Sequence, residues 1–427
     1  MRKLLLTGGA RLHGTVKVSG SKNSTLAILA SALLAKGETI LHNVPSIGDV
    51  NTMMEVLRSL GVKCERDTSG SVYIDSTDIK ATEAPYELVK KMRASFCVLG
   101  PVLARKGYAR VAMPGGCDIG ARPIDFHVKG IQALGAYVNN DHGFVEAECS
   151  KLKGTQIYLN FPSAGATQHL MTTACLAEGV TTIHNAAAEP EILEVQSFLN
   201  AMGAKITGAG TSTVTIQGVQ ELKAVEYTVV PDRMEAGTWA VAIVATLGDA
   251  KIVGIKPEHV QPFVLKLREI GAIVDIYEDS MRVRCNDRPM ATDIVTMPHP
   301  GFPTDLQQPF AALLSIAKGT SIITENVYER RFKYVDELRR MGADIKQEGR
   351  TAVINGVEKL TGAETVASDL RAGAALICAA LAAEGTSSIS GLEHVDRGYE
   401  NLLQKLKALG AQVDSAPLEQ EREKAYV

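Results

Sequence analysis

With 427 residues, 45% of them hydrophobic and 22% charged, the chain has the composition of a soluble globular protein of two or three domains. A net charge of −3 without a long basic run excludes nucleic acid and anionic membrane as general partners, and no stretch reaches the roughly 18 apolar residues of a membrane helix. Seven scattered cysteines without a CxxC pair, and nine histidines without an HExxH grouping, exclude a disulfide framework and a metal site and place the chain, by expectation, in the cytoplasm.

The first six residues begin like a signal peptide, but Thr7-Gly8-Gly9 ends the apolar run too early. Ser21-Lys22-Asn23-Ser24 then opens a helix-patterned run, Leu26 to Leu34, that is apolar nearly all round and stops at Gly37. Its lysine and serines resemble a phosphate-binding P-loop only loosely, because the first glycine is missing and Asn23 separates Lys22 from Ser24. A second helical run ends at Leu60-Gly61-Val62, and alternating strand patterns follow.

That phrase returns at Leu134-Gly135-Ala136, Met202-Gly203-Ala204, Ile270-Gly271-Ala272, Met341-Gly342-Ala343 and Leu409-Gly410-Ala411, with the glycines 68 to 74 residues apart. Between these stops an apolar helix ends in turn at Gly107, Gly179, Gly248, Gly319 and Gly385. Each unit therefore predicts helix, Gly, strand, helix, Gly, strand, turn, strand. A period near 70 is too long for a solenoid repeat and suits a small α/β unit that shares a core with its copies. Six units make two domains of three, with the all-apolar helices inside and sheets around them.

Two sets of polar residues stand out. Met113-Pro114-Gly115-Gly116-Cys117-Asp118-Ile119-Gly120-Ala121-Arg122-Pro123 reads as a loop feeding a helix over 123–134, with Pro123 at its first position. A thiol beside Arg122 at a helix entry favours thiolate and attracts anions. The apolar helices also open on polar residues: Lys22, Met92-Arg93-Ala94-Ser95, Pro162-Ser163-Ala164-Gly165, Pro303-Thr304-Asp305 and Ser368-Asp369-Leu370-Arg371. Ser, Thr and Asp there are ordinary caps. Lys22, Arg93 and Arg371 are not, since a cation opposes the helix dipole at that end. With Arg122, Arg331 and Arg397 near the starts of the second helices, they describe a cleft for a strongly anionic ligand.

These motifs, together with Asp396-Arg397-Gly398-Tyr399-Glu400, resemble over essentially the whole chain the UDP-N-acetylglucosamine 1-carboxyvinyltransferases, the enolpyruvyl transferases that open peptidoglycan precursor synthesis. The resemblance implies an α/β fold, a two-domain inside-out α/β barrel of six repeats. One domain would span 22–230, and 1–21 with 231–427 would form the other. It implies transfer of the enolpyruvyl group of phosphoenolpyruvate to the 3′-hydroxyl of UDP-N-acetylglucosamine through a tetrahedral ketal, with phosphate released and no cofactor or metal required.

By the same resemblance Cys117 is the proton donor and Asp305 the base. Lys22, Arg122 and Arg397 hold the phosphate of phosphoenolpyruvate, supported by Asn23, Arg331, Asp369 and Arg371. Arg93, Arg122, Pro123, Ile124, Asp125, Phe126, Ser163, Ala164, Gly165 and Val327 contact the nucleotide sugar. One departure from the family pattern is Phe161-Pro162, where many members carry a lysine before the Ser-x-Gly segment. The shikimate-pathway enolpyruvyl transferase needs no cysteine loop, and a silent UDP-sugar-binding paralogue would not need every catalytic position filled. An RNA-end-processing enzyme built from related repeats would be expected to carry a catalytic histidine motif. The sequence leaves the oligomeric state open.

Overall fold

The computed structural model describes residues 2–114 and 124–417. The chain divides into two compact units. The first comprises Ser19–Asp232 with Pro298–Gly301; the second comprises Met1–Val18, Arg233–Met297 and Phe302–Val427. Each has its own core, with Leu29, Phe96, Leu170 and Phe198 in the first and Trp239, Phe263, Phe310 and Leu376 in the second. Among the described residues no helix is long and apolar enough to cross a membrane.

The repeat expected from the glycine spacing is present six times as a four-stranded sheet. In the third repeat Gln156–Tyr158 runs parallel to Val180–His184, which pairs antiparallel with Thr213–Gln217, which pairs antiparallel with Lys205–Thr207. The other five sheets follow the same order of one parallel and two antiparallel pairings. Their strands alternate exposed and buried residues, as in Thr320–Glu325, so each sheet has one face inward and one in water. Against the inner faces pack the apolar helices. In the second unit these are Arg233–Ala245, Thr304–Leu314 and Leu370–Ala382, and all 13 residues of the first are buried. A helix without a polar face can be stable only in such a place. Each unit is thus an inside-out α/β barrel.

The glycines that stop the second helices all take left-handed φ, from 80 to 104°. Among the first-helix stops Gly248 differs. Leu247 takes the left-handed conformation instead (φ 50°), and a side chain on Gly248 would run into the Leu12 carbonyl.

Two parallel edge strands show how the chain changes units. His13–Lys17 precedes the Lys22–Ser31 helix yet pairs with Asp249–Val253. Glu226–Thr228 precedes Arg233–Ala245 yet pairs with Glu38–His42. At each crossing the edge strand stays with the unit it leaves. Within the first unit the two crossing segments are tied together. Ser21 N–H donates to Val230 O (2.7 Å) and Asp232 N–H to Ser19 O (2.9 Å).

Two helix starts differ from the sequence expectation. The run from Arg93 is first a 3₁₀ segment, Arg93–Val98, and becomes α-helical at Leu99–Lys106. Pro101 explains the shift, since it lacks an N–H and its ring would strike the carbonyl four residues back unless it lies in the first turn. The helix expected over 123–134 is seen as Asp125–Ala133, capped by Ile124.

Candidate active site

Cys117, Arg122 and Pro123 lie outside the described residues. The other candidate residues are divided between the two units, and in the second Asp305, Arg331 and Arg371 are brought together.

In the first unit Lys22 is the first residue of its helix, behind Ser21, whose Oγ accepts from the Ser24 N–H at 3.3 Å. The Lys22 amide donates to Asp232 Oδ2 (3.0 Å) and its Nζ to Asp49 Oδ2 (3.2 Å). The counter-charge for this cation at a helix start is therefore the chain's own. Asp49 is buried, so the pair is largely withdrawn from solvent. Asn23 stands beside Lys22 in the same turn. Arg93 begins the 3₁₀ segment close to Cys97, whose thiol burial pushes up to about 12 although the guanidinium opposes the shift. Ile124, Asp125 and Phe126 form the start of one helix. Ser163 caps another, Ala164–Ala174, with its Oγ accepting from Ala166 N–H at 3.3 Å. The amides of Ala164 and Gly165 belong to that first turn, which has no intrahelical acceptors to offer them.

In the second unit three charged residues spread over the sequence meet. Asp305, in the first turn of Thr304–Leu314, receives Arg331 Nη2 on Oδ1 (2.7 Å) and Arg371 on Oδ2, from Nε at 3.2 Å and Nη2 at 2.9 Å. Both guanidiniums are almost fully buried, at 3% exposure, whereas the Asp305 side chain keeps 25%. Each arginine is braced from behind. Arg331 Nη1 donates to Thr304 Oγ1 (2.8 Å), which donates to Glu325 Oε2 (2.9 Å). The other carboxylate oxygen of Glu325 accepts the amides of Val327 (2.8 Å) and Tyr328 (2.9 Å). Arg371 Nη1 donates to Tyr399 Oη (3.0 Å), and Tyr399 lies 2.8 Å from Thr238 Oγ1. Thr238 spends its own proton on Met234 O (2.9 Å), so Tyr399 donates to it, and the chain runs in one direction. Burial raises the Tyr399 phenol above its ordinary range although Arg371 opposes the shift. Asp369 caps Leu370–Ala382 by accepting the amides of Arg371 (2.9 Å) and Ala372 (3.0 Å), which aims the arginine. Arg397 lies in the turn between Leu392–Val395 and Leu402–Ala408, two residues before Tyr399.

A carboxylate held at both oxygens by fixed cations is oriented before any substrate arrives. Asp49 and Glu325 were not foreseen. Glu325 had a signal, being an acid at the inward position of an alternating strand, with no exposure at all.

The model of the family EPSP synthase (3-phosphoshikimate 1-carboxyvinyltransferase) matches residues 6–406. The chain is 53% identical to UDP-N-acetylglucosamine 1-carboxyvinyltransferase 1 of Caldanaerobacter subterraneus subsp. tengcongensis, covering 96% of this chain and 99% of that protein. It is 52% identical to UDP-N-acetylglucosamine 1-carboxyvinyltransferase 2 of Carboxydothermus hydrogenoformans, over 97% and 99%. Among solved structures it is similar to the enolpyruvyl transferase NikO from Streptomyces tendae, with a TM-score of 0.88, 26% identity and coverage of 97% and 99%. EPSP synthase from Acinetobacter baumannii shares the fold, with a TM-score of 0.75, 19% identity and coverage of 98% and 100%.

Proposed function

Because the chain belongs to the UDP-N-acetylglucosamine 1-carboxyvinyltransferases, within the EPSP synthase family, we propose from that premise how its residues divide the work. The chain is a transferase. It moves the enolpyruvyl group of phosphoenolpyruvate to the 3′-hydroxyl of UDP-N-acetylglucosamine and releases phosphate, the step that opens peptidoglycan precursor synthesis.

The 3′-oxygen adds to C2 of phosphoenolpyruvate as C3 gains a proton, giving a tetrahedral ketal. Loss of a C3 proton and of phosphate then restores the double bond. This demands an acid at C3, a base at the hydroxyl, and cations for phosphate and carboxylate. In our reading Cys117 is the acid and Asp305 the base. Lys22, Arg122 and Arg397 hold the phosphate, with Asn23, Arg331, Asp369 and Arg371 supporting. Arg93, Arg122 to Phe126, Ser163 to Gly165 and Val327 take the nucleotide sugar. The observation that carries the assignment of Asp305 is its clamp. Two braced guanidiniums fix both oxygens while a quarter of the side chain stays open to solvent. A cytoplasmic location is part of the proposal, and the free thiols of all six described cysteines support it.

Phosphate release from phosphoenolpyruvate, measured with UDP-N-acetylglucosamine and with shikimate 3-phosphate in turn, tests the substrate. Only the first is expected to support turnover. Asp305→Asn keeps the shape of the side chain and is expected to lower kcat by roughly two orders of magnitude or more, with nucleotide-sugar binding largely kept. Near-normal turnover in that variant would remove Asp305 from the role of base.

A further inference from the structure

The turn that carries Arg397 is fastened to a neighbouring helix of the second unit at three points. It follows the short helix Leu392–Val395, and the amides of Gly398 (3.0 Å) and Tyr399 (3.1 Å) both donate to Val395 O. Val395 lies over Gly373, where an added Cβ would stand 2.3 Å from its Cγ2. Gly398 lies over Leu370, where an added Cβ would stand 2.7 Å from Cδ2 and 2.9 Å from Cδ1. Tyr399 Oη accepts from Arg371 Nη1 at 3.0 Å. Leu370, Arg371 and Gly373 all lie at the start of Leu370–Ala382, the helix that Asp369 caps. The two glycines let the segments approach more closely than side chains would allow. Arg397 is thus set between anchors on the same helix start that aims Arg371 at Asp305.

Of the three contacts, that of Tyr399 is polar. Its hydroxyl accepts from Arg371 and donates to Thr238 Oγ1 (2.8 Å), whose own proton goes to Met234 O. Burial raises the phenol above its ordinary range, so the hydroxyl keeps the proton it donates. The ring is less firmly held. With Trp239, Ala374, Ile377, Cys378 and Leu402 it lines a cavity. Apolar packing leaves the side chain room on that side, and the two hydrogen bonds at its tip fix it.

We propose that Tyr399 is a positioning residue for the transfer reaction, one that holds the turn bearing Arg397 in register with Arg371 and so fixes the spacing between the phosphate ligand and the clamped base. The proposal rests on the reading that Arg397 holds the phosphate of phosphoenolpyruvate and that Asp305 is the base. Phosphate departs from the same carbon that the sugar oxygen attacks. A drift of Arg397 away from Arg371 would therefore part the ligand of the leaving group from the group that takes the attacking oxygen's proton. Fastening both to one helix start removes that freedom before substrate binds.

Tyr399→Phe keeps the ring and removes only the hydroxyl. It is expected to lower kcat/KM for phosphoenolpyruvate about tenfold, the loss of one hydrogen bond to a charged group. Product inhibition by inorganic phosphate is expected to weaken to a similar degree, with KM for UDP-N-acetylglucosamine little changed. Thr238→Val, which removes the acceptor of the Tyr399 proton, is expected to show part of this loss, and Thr238→Ser, which keeps the acceptor, none of it. A merely structural tyrosine would lower the melting temperature of Tyr399→Phe and leave the phosphoenolpyruvate and phosphate constants unmoved, and that result would overturn the proposal. An equal rise in KM for the nucleotide sugar would overturn it too. If Tyr399→Phe does not fold, Thr238→Val set against Thr238→Ser decides by the same constants. Arg397→Gln separates the proposal from the reading beneath it. Its inhibition by phosphate is expected to fall further than that of Tyr399→Phe. An Arg397→Gln protein that takes phosphoenolpyruvate and phosphate as tightly as the wild type would overturn the underlying reading instead.

Discussion

Burial pushes the thiols of Cys64, Cys97 and Cys378 up to about 12 and raises Cys175 still further, so none of them carries appreciable thiolate at neutral pH. Burial also raises Cys285, and its S–H is spent on Asp287 O at 3.2 Å. Cys149 donates to the carbonyls of Gly135 (3.4 Å) and Lys151 (3.0 Å). Cys117, with glycine, aspartate and arginine around it in the sequence, is the thiol expected to react. Limited alkylation at pH 7 followed by peptide mapping should find the first label there, and Cys117→Asp, which keeps a proton donor, should take up little label and stay active. A first label on Cys149 would contradict the assignment. The same contrast separates what could be read from the sequence at this scale from what could not. Arg371 and Lys22 were legible because helix rules do not ask for a cation where they sit. Asp49 was not, because an acid in the first turn of Gly48–Ser59 already satisfies the helix dipole and looks ordinary. His169 sits in the middle of a helix, and only the folded chain brings Gly100 and His127 to it.

Asp369 shows how an element carries a site. Its carboxylate accepts two amides at the start of Leu370–Ala382, and the next residue but one is the arginine that grips Asp305. Asp369→Ala should cost about 1 kcal/mol of cap energy and also loosen Arg371, so thermal stability and kcat should both fall. Asp369→Asn can still cap. If it restores the melting temperature and kcat together, Asp369 acts only through the helix start. If stability returns without turnover, its charge belongs to the site. The element scale is also where most of the fold was legible. Gly61, Gly135 and their counterparts punctuate helices whose apolar faces differ, all-round for the buried set and one-sided for the outer set. Five of the six parallel edge strands escaped notice because they are too short to alternate. Glu83–Ala84 has two residues and Gln156–Tyr158 three, and pattern reading needs four or more. The late helix start at Leu99 escaped for another reason: Pro101 displaces it, although the apolar pattern runs through from Phe96.

The order of strands is circular, although the chain is linear. In five of the six sheets the last two strands are a hairpin, as Lys205–Thr207 and Thr213–Gln217 are. In the sixth, Gln412–Pro417 takes as its partner Arg2–Thr7 from the opposite end of the sequence. Arg2 faces Pro417, and Thr7 faces Gln412, which is the register a hairpin between them would have. Arg2–Thr7 pairs on its other side with Thr386–Ser390 and sends Leu4 and Leu6 into the core, so it is the central strand its repeat otherwise lacks. The sixth repeat is therefore complete in space and interrupted only in sequence. Joining Pro417 to Arg2 through a short Asn-Gly turn should restore the missing hairpin, since that dipeptide supplies the left-handed pair such turns need. New ends can be opened between Gly210 and Thr211, both exposed, in the corresponding hairpin of the third repeat. The permuted chain is expected to fold, to keep both KM values within about threefold of the original, and to melt a few degrees lower, a difference of about 1 kcal/mol. The loss should come from the first unit, where a hairpin has been cut, and proteolysis should begin there. A permuted chain that does not fold, while the same turn is tolerated when Gly210 and Thr211 stay joined, would show that the cut itself is the fault. Failure of the joined, uncut circle would show that Arg2–Thr7 and Gln412–Pro417 do not form the hairpin that the other five repeats contain.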